Sequence, residues 1–477
     1  MRLVPMLLAA AVAAAVFPAT ATATDSSAPP TQAVGTRISD TSMAVAAQLR
    51  EVALASPLAW DITESLTTEI GPRLAGSEAD ARAVEWAKAK FAELGFDRVW
   101  TEPVTFPKWV RRSESAEVLG PNAQPLTLTA LGGSPGGTVE AEVVRFADLA
   151  ALEAAPAGSL AGRIAFVDYA MERSRDGSGY GPGSRVRSSG PSAAIRAGAA
   201  GFVMRSVGTA SPRMPHTGIP RFDDGLEPVP SAALSVPDAD QLARLLARGP
   251  VRLRLALDCG WDGEYTSQNV IGEMTGASLP DEVVLIGAHL DSWDLGTGAV
   301  DDAAGIGITM AAAVHIAAVE RRPARSIRVV AFANEEQGLH GGIAYARTHA
   351  ADIPRHQLVA ESDFGAGRIY AFNTSAPAHA DSAEARIAEA LAPLGIERSD
   401  GGGPGPDLIP ITRMGAAWAW LGQDGTDYFD LHHTPDDTLD KIDPAALAQN
   451  AAAYAVFAYL AADAEGGFGS TLVTPTP

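Results

Sequence analysis

EVVLIGAHLDSWDLGTGAVDDAAGIGITMAAAVHIAAVERR, Glu282 to Arg322, is the stretch whose reading decides the fold. It opens on a short apolar run without polar alternation, the pattern of a strand buried on both faces, and closes on a helical run from Gly305. Between the two, four aspartates and one histidine crowd among glycines and small apolar residues. Strand, acidic loop and helix together make one unit of an α/β layer.

The unit recurs downstream. SIRVVAFAN (326–334), QLVAESD (357–363) and AAWAWLG (416–422) are further short apolar runs separated by helical segments. The pattern predicts an α/β fold with a mostly parallel central sheet flanked by helices. In such sheets functional groups gather beyond the carboxyl ends of the strands. His289 and Asp291 end the first run, Glu335 and Glu336 follow the second, Asp363 ends the third, and His432 and His433 lie in the loop after the fourth. These chain-distant groups can therefore share one sheet edge.

Upstream, GSEADARAVEWAKAKFAELGF (76–96) reads as a helix, with Ser77 and Asp80 in capping-box spacing and Gly95 as its stop, and DRVWTEPVTF reads as a strand. Between residues 116 and 268 the texture changes to short apolar runs such as GRIAFVDY and GFVMRS set among Gly/Pro/Ser-rich turns. This predicts an inserted subdomain over 116–268, which leaves the main domain discontinuous, over 42–115 and 269–465. No internal repeat is visible.

The N-terminus, MRLVPMLLAAAVAAAVFPATATATDSS, has a short basic start, an apolar run and small-residue steps ending near Ala23. That predicts a signal peptide over 1–23, a flexible leader over 24–41, a flexible tail over 466–477 and a secreted or periplasmic location. The apolar run is shorter than the ~20 residues that span a bilayer, and no later stretch is expected to act as a membrane anchor. A single cysteine, Cys259, rules out a disulfide within the chain and is expected to be an inert core thiol.

The net charge of −21, from 36 Lys+Arg against 57 Asp+Glu, repels phosphate backbones and anionic membranes, so nucleic acid is excluded as a partner. A dense acidic site attracts cations instead, either metal ions or an amine-bearing substrate. Buried carboxylates are costly unless compensated, and the acidic motifs carry no Arg or Lys at their cores. Two imidazoles with oxygen donors suit zinc or a similar divalent ion. The donors are too many for one tetrahedral ion, and two ions sharing a carboxylate would use them.

HLDSWD, GAVDDAAG, NEEQG, ESD and LHHTPDDT resemble, in this order, the motifs of the co-catalytic zinc aminopeptidase family, which includes bacterial secreted aminopeptidases and glutamate carboxypeptidases. PHTG (215–218), placed ahead of VPSAALSV, and the doublet His432-His433 resemble the glutamate carboxypeptidase side of that family. The similarity runs from about Gly71 to Asp463.

It implies a protease-associated-like insert and two Zn²⁺ ions, one held by His289 and Asp363, the other by Glu336 and His433, with Asp301 across both. It further implies that Asp291 orients His289, that the Asp301–Asp302 peptide is cis, and that the enzyme forms a homodimer. Glu335 falls at the position of the general base, which deprotonates the attacking water and later protonates the leaving amine. The expected activity is therefore exopeptidase hydrolysis of dipeptides or short peptides.

His432 reads either as a substrate-side donor to the developing oxyanion or as a structural loop histidine. His315 reads as packed within its helix, and His340, His349 and His356 as surface or helix-end residues. Asp294, Asp302, Asp436 and Asp437 read as turn and cap residues, and His216 as part of a structural turn. A true carboxypeptidase, a single-zinc glutaminyl cyclase and a non-catalytic secreted binding protein are the rival functions. The complete ligand set and the spare acid of the Glu335-Glu336 pair argue for catalysis.

Overall fold

The computed structural model describes residues 35–469. The expected signal peptide lies outside them, as do residues 24–34 of the leader and 470–477 of the tail. Residues 35–41 and 466–469, assigned to leader and tail by composition, are in fact packed. Arg37 pairs with Glu465, the first helix starts at Asp40, and Phe468 is buried with its N–H donating to Gln357 Oε1.

The central strand Leu279–His289 lies between Arg325–Phe332 and His356–Glu361, and both pairings are parallel. Each strand is buried on both faces, which is why its sequence shows no alternation. Val283, Leu285, Val330 and Phe332 enter one core cluster, and Val284, Ile286, Ala288, Val329 and Ala331 enter the other.

The helices Ala304–Ala317 and Pro444–Asp463 pack together, and Asp40–Leu54 covers the latter. Residues 299–317, which include the first helix, and the helix Pro444–Asp463 have the length and hydropathy of a membrane span, but nearly all of each is buried within the molecule. They are core helices, alanine-rich because they are covered on every side. Ser77 caps Glu78–Glu93 as expected, its Oγ accepting from the N–H of Asp80.

Beyond Arg325–Phe332 the sheet turns antiparallel. Arg252–Met274 pairs with Arg325–Phe332 through Val270–Met274 and with Arg98–Leu119 along its whole length. Its opposite end, Arg252–Leu257, pairs with Gly137–Phe146, which leads into the parallel strands Ile164–Val167, Gly201–Arg205 and Ser231–Leu234. Two long strands thus run without a break through the edges read at 115/116 and 268/269, so the insert grows out of the main sheet as its extension.

AAWAWLG departs from the expected layer. Ala419–Gln423 pairs antiparallel with Ile369–Thr374 in a separate three-stranded sheet, and the residue before it, Trp418, bridges to Val359 of the central sheet.

Candidate metal centre and active site

The parallel register aligns the strand ends, Phe332 opposite His289 and Glu361 opposite Gly287. The chain leaves each strand at this edge. Asn334 takes a left-handed conformation, φ 51°, and turns Glu335 and Glu336 into the same space. His433, φ 62°, brings the doublet loop in from above. All eight residues expected from the sequence therefore converge, and Asp301, Glu335, Glu336, Asp363, His432 and His433 line one cavity of about 450 Å³.

At its centre is Asp301, joined to Asp302 by a cis peptide bond. Its Oδ1 lies 3.0 Å from His289 Nε2, which is also 3.4 Å from Asp363 Oδ1. Its Oδ2 lies 3.4 Å from His433 Nε2, which is 3.0 Å from Glu336 Oε2. Each oxygen of one carboxylate thus faces its own histidine–carboxylate pair.

The far nitrogens of both rings are already committed. His289 Nδ1–H donates to the carbonyl of Asp291 at 3.1 Å, and His433 Nδ1–H to the carbonyl of Thr217 at 3.1 Å. Carbonyls only accept, so these bonds fix each neutral ring with its Nε2 lone pair toward the carboxylates. Lone-pair atoms approach to about 3 Å only around a shared proton or a cation.

A tetrahedral ion with donors at about 2.1 Å would set them roughly 3.4 Å apart, which the observed separations of 3.0 and 3.4 Å approach. Asp301 Oδ2 and Glu336 Oε1 are buried without a hydrogen-bond partner, and among the described residues no Lys or Arg forms an ion pair with Asp301, Glu336 or Asp363. Burial, and then the charge of Asp363, pushes the Glu335 carboxyl well up; burial, and then Asp301, does the same to Glu336. The donor set therefore fits a metal site.

The surroundings hold these groups in place. Asp291 Oδ1 accepts from the N–H of Glu335 at 3.0 Å and lies 3.7 Å from His289 Nδ1, so the short bond to His289 comes from the main chain of Asp291 and its carboxylate steadies the glutamate turn. Both oxygens of Asp302 accept main-chain N–H groups, of His289 and Gly305. Asp437 Oδ1 accepts from Ala299 and Val300 at 2.8 and 2.7 Å, the cap role expected of it. His432 stacks on His433 with centroids 3.4 Å apart, and its Nε2 is 3.7 Å from Asp301 Oδ2.

Two supports escaped the sequence reading. Arg73 is fully buried and donates to the carbonyls of Leu290, Thr297 and Gly298, pinning the loop between His289 and Asp301. Thr217, inside PHTG, supplies the carbonyl that orients His433, while His216 Nδ1 bonds the carbonyl of His432 at 2.7 Å. The odd PHTG spelling was the available signal for the second; for Arg73 it was only an arginine at the start of the similarity. His356, read as a surface or helix-end residue, is buried, its Nε2 accepting from the Tyr345 hydroxyl at 2.9 Å. Cys259 is buried and its thiol pushed up to about 11 by desolvation, as an inert thiol should be.

The family model described as peptidase family M28 matches residues 269–458, the segment that supplies all eight converging side chains. Carboxypeptidase Q of Mus musculus is 32% identical over 402 residues, covering 83% of this chain and 84% of the relative. Carboxypeptidase Q of Homo sapiens is 32% identical over 404 residues, covering 84% of each. Among solved structures, a peptidase M28 precursor from Shewanella amazonensis SB2B is 50% identical with a TM-score of 0.85, over 88% of this chain and 96% of that one. A zinc aminopeptidase from Bacillus subtilis shares the fold, with a TM-score of 0.61 at 19% identity over 84% of this chain and 94% of that one. Likeness of that extent, carried through the insert as well as the catalytic half, establishes that the chain belongs to peptidase family M28 and is a metallo-exopeptidase.

Proposed function

We propose that this exopeptidase works with two zinc ions and hydrolyses dipeptides or short peptides with a free amino end, outside the cytoplasm. The observation that carries the reading is the division of Asp301, whose Oδ1 faces His289 and Asp363 while Oδ2 faces His433 and Glu336. His289 and Asp363 would hold one ion, His433 and Glu336 the other, with Asp301 shared. Bound there, the ions would supply Lewis-acid polarisation of the scissile carbonyl and lower the proton affinity of water.

Glu335, next to Glu336 in sequence, and Glu361 are cavity carboxylates given no ligand's role, and Glu335 falls at the position of the general base. It lines the cavity and its main chain is fixed by Asp291, so it can take the proton from the attacking water and return it to the leaving amine. His432 lines the same cavity and offers a nitrogen toward the developing oxyanion. Glu361, a further carboxylate on the wall of the cavity, suits a free α-amine.

Product analysis on a tripeptide with three distinct residues tests the choice of terminus. The N-terminal residue should appear first, and early release of the C-terminal residue would overturn it. Removal of metal by a chelator should abolish turnover, and zinc should restore it.

A further inference from the structure

We infer that Arg111 is a positioning residue for His433, acting through the side-chain hydroxyl of Thr217, and that the insert is by this route a working part of the metal centre. The inference rests on the two-ion reading above and adds the support that holds one of its nitrogen donors.

Arg111 lies in the strand Arg98–Leu119 where the pairing slips: Arg111 stands opposite Cys259 and Ser113 opposite Asp258, which leaves Arg112 extra. Such a bulge re-aims the side chains beside it. The Arg111 side chain is only 8% exposed, and its guanidinium is spent on separate segments of the chain. Its Nε donates to both oxygens of Asp294, at 3.2 and 2.9 Å, in the loop that follows His289 and Asp291. Its Nη1 donates to Glu114 at 2.8 Å and, in the insert, to the Thr129 hydroxyl and the Ala130 carbonyl. Its Nη2 donates to Oγ1 of Thr217 at 3.1 Å, and that hydroxyl donates in turn to the Ala130 carbonyl at 2.9 Å. Asp294, read from sequence as a turn or cap residue, is thus half of an ion pair.

The main chain of Thr217 meets His433 twice. Its N–H donates to the His433 carbonyl at 3.1 Å, and its carbonyl accepts from His433 Nδ1–H at 3.1 Å. The carbonyl also accepts from Arg187 Nη1 at 3.3 Å, so both its lone pairs are in use and a shift of Thr217 is felt at the ring. His433 itself sits at φ 62°, a conformation that a non-glycine residue holds only when its surroundings fix it. The insert closes the same corner by shape. A Cβ at Gly132 would lie 2.0 Å from Cη2 of Trp293, so the insert presents a glycine where the indole of HLDSWD packs, and that indole lies 5.7 Å from the His433 ring. A planar fork of five donors can hold Asp294, Ala130 and Thr217 at once, which a lysine ammonium cannot match. Arg111 thereby ties the loop after His289 to the residue that orients His433, and these histidines are the two nitrogen donors of the centre.

The test uses substitutions that leave the Thr217 carbonyl in place. Thr217→Val removes the hydroxyl at nearly constant shape, Thr217→Ser keeps it, and Arg111→Lys removes the fork. In the first arm, ¹⁵N-histidine spectra are recorded at pH 8 on chelator-treated protein, with the His433 signals identified by their loss in His433→Ala. Wild type and Thr217→Ser should show the Nδ1–H tautomer alone at His433, and Thr217→Val and Arg111→Lys a mixture of both tautomers. In the second arm, zinc is titrated in competition with a chromophoric chelator. Thr217→Val and Arg111→Lys should each weaken, by about 10- to 100-fold, the binding event that His433→Ala abolishes, and their losses should not add in the double variant. Thr217→Val should leave the other event unchanged. A Thr217→Val protein with the wild-type tautomer overturns the relay, as does an equal loss at both binding events, which would mark a purely structural role. Fully additive losses overturn it too, since Arg111 would then act by another route. If Arg111→Lys does not fold, Thr217→Val against Thr217→Ser decides. A wild type that takes up fewer than two zinc ions counts against the two-ion reading, while the spectra still judge Arg111 and Thr217.

Discussion

The main-chain N–H of Glu335 donates to Oδ1 of Asp291 at 3.0 Å, tying the loop after one strand to the glutamate turn after its neighbour. Since the carbonyl of Asp291 also fixes His289, this residue would couple a proposed metal donor to the proposed base. Alanine keeps the carbonyl that fixes His289 but removes the acceptor of the Glu335 N–H, so Asp291→Ala should loosen the Glu335–Glu336 turn, lose activity by about 10- to 100-fold and weaken zinc binding through Glu336. Asp291→Asn keeps an acceptor for the Glu335 N–H and should retain more of both. Steady-state kinetics with zinc titration checks the pair; an Asp291→Ala enzyme with unchanged kcat at saturating zinc would contradict the coupling.

Arg73 should be needed for metal binding without touching metal. Lysine cannot span the carbonyls of Leu290, Thr297 and Gly298, and each buried carbonyl left unpaired costs about 1–3 kcal/mol. Arg73→Lys should lower the melting temperature of chelator-treated protein and reduce zinc affinity in the folded protein. Unaltered values for both would show that the loop holds its shape unaided.

His356 gives a pH-dependent stability signature outside the metal centre. Burial, against the opposing hydrogen bond to the Asp352 carbonyl, lowers its pKa from the ordinary 6.5 to about 4, with Arg328 and His349 adding to the effect. The unfolded chain then binds the proton first, so the contribution to stability is full above pH 7 and is lost as pH falls from 6.5 toward 4. The loss amounts to about 3 kcal/mol at most. Urea unfolding at pH 7.5 and 5.0 should show a smaller pH difference for His356→Gln than for wild type, and an equal difference would contradict the assignment.

Removing either histidine of the centre should reduce metal content. His289→Ala and His433→Ala each delete one nitrogen donor, and alanine replaces neither. Elemental analysis at low free zinc should find less metal in both variants than in wild type; unchanged content in both would reject the two donor groups.

The catalytic half was legible because each motif sits at the end of an apolar run, and strand ends in a parallel layer share an edge. Counting donors against cations called for a carboxylate shared by two ions; that Asp301 is that residue was what the family resemblance implied. Contacts made by main-chain carbonyls were not legible, since every residue has one. That is why Thr217 and Arg73 went unread, and why the orienting group of His289 turns out to be the backbone of Asp291 and not chiefly its carboxylate. AAWAWLG shows the limit of pattern: an apolar run specifies burial, but not which sheet receives the strand. His356 was misread because a histidine between polar neighbours looks exposed, whereas the strand that starts there carries it inward.

The central claim is that Glu335 and Glu336, neighbours in sequence, divide proton transfer and metal binding between them. One measurement tests it: zinc content and peptide turnover determined on the same preparations of Glu335→Gln and Glu336→Gln. Glu335→Gln should keep the wild-type zinc content and lose turnover by roughly 10²- to 10⁴-fold, because an amide cannot accept the proton. Glu336→Gln should lose zinc, because a neutral amide is a poorer oxygen donor to a dication. Near-full turnover by Glu335→Gln at saturating zinc would contradict the account, even with the fold and the metal centre intact.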